Sequence, residues 1–198
     1  MSEMPGLDNR TDEQLVDACN AGDVAAFEEL YRRYKEWAAG VAYRFTGDRD
    51  AALDVMQEAF AYLLTRFPGF RLSARLTSFL YVVIKHRALS AKRRERRAPL
   101  QRGDTAERHA VPSEAEWPPV NPEAAGVLAG AIRALPDAQR EVLLMRAVDG
   151  MGLQEIAVAL SIPVGTVKSR LHHALAALRA NPATVRYFDA DTPFSRPV

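Results

Sequence analysis

From Phe27 onward the apolar residues Phe27, Leu30, Tyr31, Tyr34, Trp37, Val41 and Phe45 recur every three or four positions. That is the period of a helix buried along one stripe. Gly47 closes this helix, and Gly22-Asp23 opens it by ending a shorter one before it. In the shorter helix, Thr11 and Gln14 have capping-box spacing, while Leu15, Val16 and Cys19 supply an apolar side. A third helix, capped by Asp48 or Asp50, is predicted to turn Leu53, Met56, Phe60, Leu63 and Phe67 inward until Pro68-Gly69 breaks it. Its opposite face then carries Asp54, Gln57 and Glu58.

The run Phe79 to Ile84 is β-friendly and by itself compatible with a buried strand. A helix is the better expectation, because Leu76, Leu80, Val83 and Arg87 keep three-four spacing and no other run offers a strand partner. This helix continues into "KHRALSAKRRERR", Lys85 to Arg97, the most basic stretch of the chain. From residue 98 to 121 the periodicity disappears in favour of Pro and polar residues, with Trp117 as the only large aromatic, which predicts a flexible linker. After it, Asn121-Pro122-Glu123 starts a helix containing Val127, Leu128 and Ile132, and Leu135-Pro136-Asp137 ends that helix and starts one with Val142, Leu143 and Met145.

The next stretch, "LQEIAVALSIPVGTVKSRLHHAL", reads as a short helix, a sharp break and a longer helix. Ile156, Ala157 and Leu160 face Val167 and Leu171 across the break, and Val164, Val167, Leu171, Leu175 and Leu178 form the inward stripe. Thr166, Lys168, Ser169, Arg170 and His173 remain for the outward face. These types suit phosphate oxygens and base edges in a major groove. Gly165 and Thr166 begin the second helix, where free N–H groups favour a phosphate, and Arg170 can address guanine O6 and N7 together. The expected fold class is therefore all-α: two small helical domains, residues 10–97 and 122–181, joined by the linker 98–121 and followed by a tail, 182–198.

Composition changes this picture little. With 198 residues, 48% hydrophobic and 26% charged, the chain has enough apolar mass for small cores, and a net charge of +1 does not announce a nucleic-acid binder. Charge distribution does more, since acidic residues gather near the start and basic ones between 85 and 97. No segment approaches the roughly 20 apolar residues that span a bilayer, and the start has no basic lead before an apolar stretch, so no membrane insertion and a cytoplasmic location are expected. The lone Cys19 reads as a small buried residue. Adjacent His172 and His173 point to different sides of a helix, so no metal site is expected, and no catalytic constellation or cofactor motif is visible. The chain is not expected to be an enzyme.

Two stretches resemble one family. "ALPDAQREVLLMRAVDGMGLQEIAVALSIPVGTVKSRLHHALAALR" is similar to region 4 of bacterial RNA polymerase sigma factors of the extracytoplasmic-function (ECF) group, and Ala52-Leu53 with "DVMQEAF" resembles their region 2.2. The resemblance implies a subunit that binds core RNA polymerase and directs promoter-specific initiation. It assigns Asp54, Gln57 and Glu58 to docking on the β′ coiled coil, with the β flap as a second contact on polymerase. It places minus-ten recognition and melting in Gly69 to Arg97, with Phe79, Lys85, His86, Arg87, Lys92, Arg93 and Arg94 as candidates. Aromatic rings there would stack on unpaired bases while the cations hold the opened backbone. Minus-thirty-five recognition falls to Gly165, Thr166, Lys168, Ser169, Arg170 and His173.

An anti-sigma factor is a further candidate partner. The chain departs from the family where Phe79 replaces the usual Trp, His86 the usual Asn and Ser90 the usual Asp, and where Gly152 and Ser161 replace Ser/Thr and Gly. The competing reading is a stand-alone LuxR-type helix-turn-helix regulator, which shares "EIA" and "TVK" but usually carries an upstream βα sensory domain. An enzyme with a DNA-binding appendage would need a catalytic set that is not visible.

Overall fold

The Thr11 hydroxyl oxygen accepts a hydrogen bond from the Gln14 backbone amide and the Gln14 side-chain oxygen accepts one from the Thr11 amide, so α1 (Asp12–Asn20) begins on a complete capping box. Asp23 caps α2 (Val24–Thr46), which ends at Gly47 in the left-handed conformation, and Asp48 caps α3 (Arg49–Leu64). These helices belong to a computed structural model that describes residues 8–97 and 122–184. The remaining helices are α4 (Leu76–Arg97), α5 (Pro122–Ala134), α6 (Asp137–Ala147), α7 (Leu153–Leu160) and α8 (Val164–Ala180). Among the described residues all regular structure is helical, as the spacing predicts, and the ambiguous run Phe79 to Ile84 lies inside α4. The linker 98–121, with Trp117 and Asn121, and residues 185–198 of the tail lie outside the described residues.

The helices form two units. In the first, α2 packs against α1, α3 and α4, and α3 packs against α4. Leu30, Val41, Ala59, Leu63, Leu76, Leu80, Ile84 and Ala88 are fully removed from water. Each of the larger of these side chains contributes about 1.5–3 kcal/mol by leaving water. Tyr31 meets Phe60 edge-on at 4.9 Å and Phe45 meets Tyr81 at 5.9 Å, locking α2 to α3 and to α4. Cys19 is buried, as expected, and burial pushes its thiol pKa up.

Two inward assignments need correction. Leu53 is 38% exposed, because the buried stripe of α3 runs through Ala52, Val55, Met56, Ala59, Phe60 and Leu63 instead. Phe67 lies past the end of α3, in the turn, where its ring sits edge-on to Phe27 at 6.3 Å.

A polar network ties the amino-terminal segment to α2. Arg10 spans Asp8 and Asp23, at 2.7 and 3.0 Å, and Arg33 joins Asp12 to the buried carboxylate of Glu29, which Arg32 also holds. The Arg10 guanidinium keeps the Asp8 carboxyl at about 2 and lowers that of Asp23, while Arg32 and Arg33 lower Glu29.

In the second unit, α6 and α7 pack on α8. Val142, Leu143, Met145, Met151, Ile156, Val167, Leu171, Ala174 and Leu178 form its interior, joined by Ala131 of α5 and by Leu135. The Gly152 amide donates to the Glu155 carboxylate at the start of α7, which serves as a cap although Gly152 has no side chain. The break between α7 and α8 turns on Ser161, whose φ of 53° is left-handed. A side chain there crowds its own carbonyl, which is why glycine is the default at such a position. After α8, Thr184 is buried and its hydroxyl donates to the carbonyls of Leu178 and Asn181.

Ser161→Val should therefore destabilise the chain by about 1–2 kcal/mol, because a β-branched residue resists this conformation, while Ser161→Gly should not. Chemical denaturation followed by circular dichroism checks this, and an unchanged midpoint for Ser161→Val would contradict the turn geometry.

Candidate functional site

On α3, burial of Ala52, Val55, Met56, Ala59 and Phe60 forces Asp54 and Gln57 into solvent. Glu58 is half-buried at the seam with α4, where its carboxylate lies 3.4 Å from Arg87 and 3.9 Å from Arg94. The three polar positions are thus neighbours on one helix in two settings: Asp54 and Gln57 face water, and Glu58 faces cations. Leu53 and Leu64, 38% and 53% exposed, border the outward pair with apolar surface.

The cations of α4 divide into strips because residues seven apart return to the same side of a helix. Arg87 and Arg94 form the strip nearest α3. His86 and Arg93, both exposed, share the outermost strip with Ser90 and with Phe79 at its start. Lys85 and Lys92, half-buried, form the third strip, on the other flank. The sequence-predicted set therefore wraps α4 and does not occupy a single face. Its buried side is taken by Leu80, Tyr81, Ile84 and Ala88.

Phe79 is half-buried and already has ring partners. Tyr62 stacks on it with planes 9° apart at 6.3 Å, and Phe70 tilts against it at 4.9 Å. The guanidinium of Arg87 sits 5.5 Å from the centre of the Tyr62 ring and that of Arg66 5.9 Å away, within cation–π range. Tyr62, Phe70 and Arg66 did not stand out from the sequence, because their role comes from contacts between elements and local spacing shows nothing of that kind.

On α8, burial of Val167, Leu171, Ala174 and Leu178 leaves Thr166, Ser169, Arg170 and His173 on one strip at spacings of three and four, with Ser169 and His173 exposed and Thr166 and Arg170 half-buried at its inner edge. Lys168 is exposed on the flank with His172, four residues on, and is not in line with Arg170. Gly165 is exposed at the first turn, where the leading amides of a helix have no partner within it. The rings of His172 and His173 are 5.8 Å apart and edge-on. Among the described residues no group of three or more His, Cys, Asp or Glu side chains is placed to hold a metal. No helix among them is long and apolar enough to cross a membrane.

Comparison with known proteins places each unit. The sigma-70 region 2 model matches residues 30–98, and the sigma-70 region 4 model matches residues 126–178. RNA polymerase sigma-H factor of Pseudomonas aeruginosa is 30% identical over 182 residues, covering 87% of this chain and 94% of that protein. The ECF RNA polymerase sigma factor SigW of Bacillus subtilis is 30% identical over 167 residues, covering 80% of this chain and 89% of its own length. The sigma factor RpoE of Bartonella quintana, solved with the anti-sigma factor NepR, has a similar fold, with a TM-score of 0.60 and 17% identity over 79% of this chain and 96% of that one. Region 2 in the first half, all helical where described, disfavours the stand-alone regulator with its upstream βα sensory domain. The chain belongs to the ECF RNA polymerase sigma factors, and it directs promoter-specific transcription as one of them.

Proposed function

We propose that the two units divide the work of initiation. The first, residues 10–97, docks on the β′ coiled coil of core RNA polymerase through Asp54 and Gln57, with Glu58 at the edge of the contact. It receives the minus-ten strand along α4, where His86 and Arg93 face outward beside the half-buried ring of Phe79 and Lys85, Arg87, Lys92 and Arg94 flank the backbone path. The second, residues 122–181, meets the β flap and reads the minus-thirty-five element with Thr166, Ser169, Arg170 and His173, while Gly165 and Lys168 take phosphates. The linker 98–121 lets both units reach their elements, and 182–198 follows as a tail. The protein works in the cytoplasm without metal or cofactor and is not itself an enzyme, since polymerase supplies the chemistry. An anti-sigma factor is a further partner, a reading supported by the RpoE–NepR complex.

The observation that carries this reading is the outer side of α4, where a half-exposed aromatic and cations stand opposite a fully buried seam. Stacking and backbone neutralisation are the two interactions by which a protein holds single-stranded DNA. The near-neutral net charge fits a factor that binds DNA firmly only as part of the polymerase.

Core polymerase supplemented with this protein should yield promoter-dependent transcripts that core alone does not. Asp54→Lys should abolish co-purification with core while leaving the circular dichroism spectrum intact, and unimpaired co-purification would refute the α3 assignment. Arg170→Ala should cost roughly 1–3 kcal/mol at a single minus-thirty-five position. Equal loss on every sequence tested would make Arg170 a phosphate contact.

A further inference from the structure

Asn20, the last residue of α1, reaches across the chain to the turn between α3 and α4. Its Oδ1 accepts from the amides of Gly69, at 2.6 Å, and Phe70, at 3.0 Å, and its Nδ2 donates to the Phe70 carbonyl at 2.8 Å. Two N–H groups and one carbonyl fit an amide side chain in one orientation only. Aspartate would lose the donor, and alanine all three bonds. The backbone held this way is unusual, since Gly69 has a φ of +103° that other residues rarely adopt.

Just beyond the clamp, Phe70 is buried and its ring lies 5.6 Å from Phe67 and 4.9 Å from Phe79. Phe79 in turn stacks on Tyr62, which lies under Arg66 and Arg87. Arg71, exposed, follows Phe70 directly. The clamp therefore fixes both the inner support of the Phe79 ring and the direction in which the chain enters α4.

We propose that Asn20 is a positioning residue for promoter opening. By fixing the backbone at Gly69 and Phe70, it holds the Tyr62–Phe79–Phe70 aromatic layer and the adjacent Arg71 in the form that receives the opened minus-ten strand. This rests on the reading that the Phe79 side of α4 contacts that strand. Asn20 touches no DNA itself, so its effect falls on opening and base discrimination and leaves polymerase affinity unchanged.

The test uses full-length protein assembled with core polymerase. Strand opening is followed by 2-aminopurine fluorescence in the minus-ten element, on the parental promoter and on promoters with single minus-ten substitutions. Asn20→Ala should assemble with core as the parental chain does, open the promoter roughly tenfold more slowly and discriminate less among minus-ten bases. Asn20→Asp, which keeps both acceptor bonds, should fall between the two, and it carries the same test if Asn20→Ala does not fold. Parental opening and discrimination in these variants would overturn the clamp, as would loss of opening in proportion to loss of polymerase binding. Phe79→Ala, measured alongside, separates the two ideas. If it opens and discriminates like the parent, the underlying reading falls and the inference with it. If it is impaired while the Asn20 variants are not, only the clamp falls.

Discussion

Leu76, Leu80, Tyr81, Ile84 and Ala88 leave water almost completely against α2 and α3, and this burial fixes the rotation of α4 about its own axis. With that side committed, His86, Ser90 and Arg93 can only face outward, while Lys85 and Arg87 are held at the two flanks. Turning the helix enough to bury one cation would expose several apolar side chains and desolvate an ammonium or guanidinium group, each a matter of kcal/mol. The charge distribution of the first unit is thus a consequence of its core. The same holds for α8, where Val167, Leu171, Ala174 and Leu178 determine that Thr166, Ser169, Arg170 and His173 share one strip.

The α3–α4 seam makes two surfaces interdependent. Glu58 belongs by position to the polar face of α3, yet its carboxylate answers Arg87 and Arg94 of α4, and Arg87 also lies over Tyr62. Both ion pairs are open to solvent, Arg94 most of all, and each is individually weak. Together with the Tyr62–Phe79 stack they tie the side proposed to hold polymerase to the side proposed to hold DNA.

Much of this was legible in the sequence because it is local. The Thr11–Gln14 capping box, the stop at Gly47 and the inward stripe of α8 need only spacing and residue type. Asp48, not Asp50, proved to be the cap of α3, a choice that local chemistry alone leaves open. Leu53 was misread because a three-four count starting there tracks the edge of the buried stripe before converging with it at Met56. The β-friendly run in α4 took helical form once its apolar residues had two helices to bury against. Asn20, Tyr62 and Phe70 were invisible, since these partners lie 9 to 50 residues away on other elements and no periodicity marks such a pairing. Ser161 was noticed as a departure from the usual glycine, but its left-handed backbone is a fact of the structure.

On the proposed reading, the outer side of α4 and the outer strip of α8 hold different promoter elements within one holoenzyme. Photocrosslinking from an amino-acid probe placed at position 93 and, separately, at position 170 decides whether they do. Assembled with core polymerase on a labelled promoter, the probe at 93 should crosslink to the minus-ten element and the probe at 170 to the minus-thirty-five element. Crosslinks from 93 to polymerase alone, or from both probes to a single element, would contradict it.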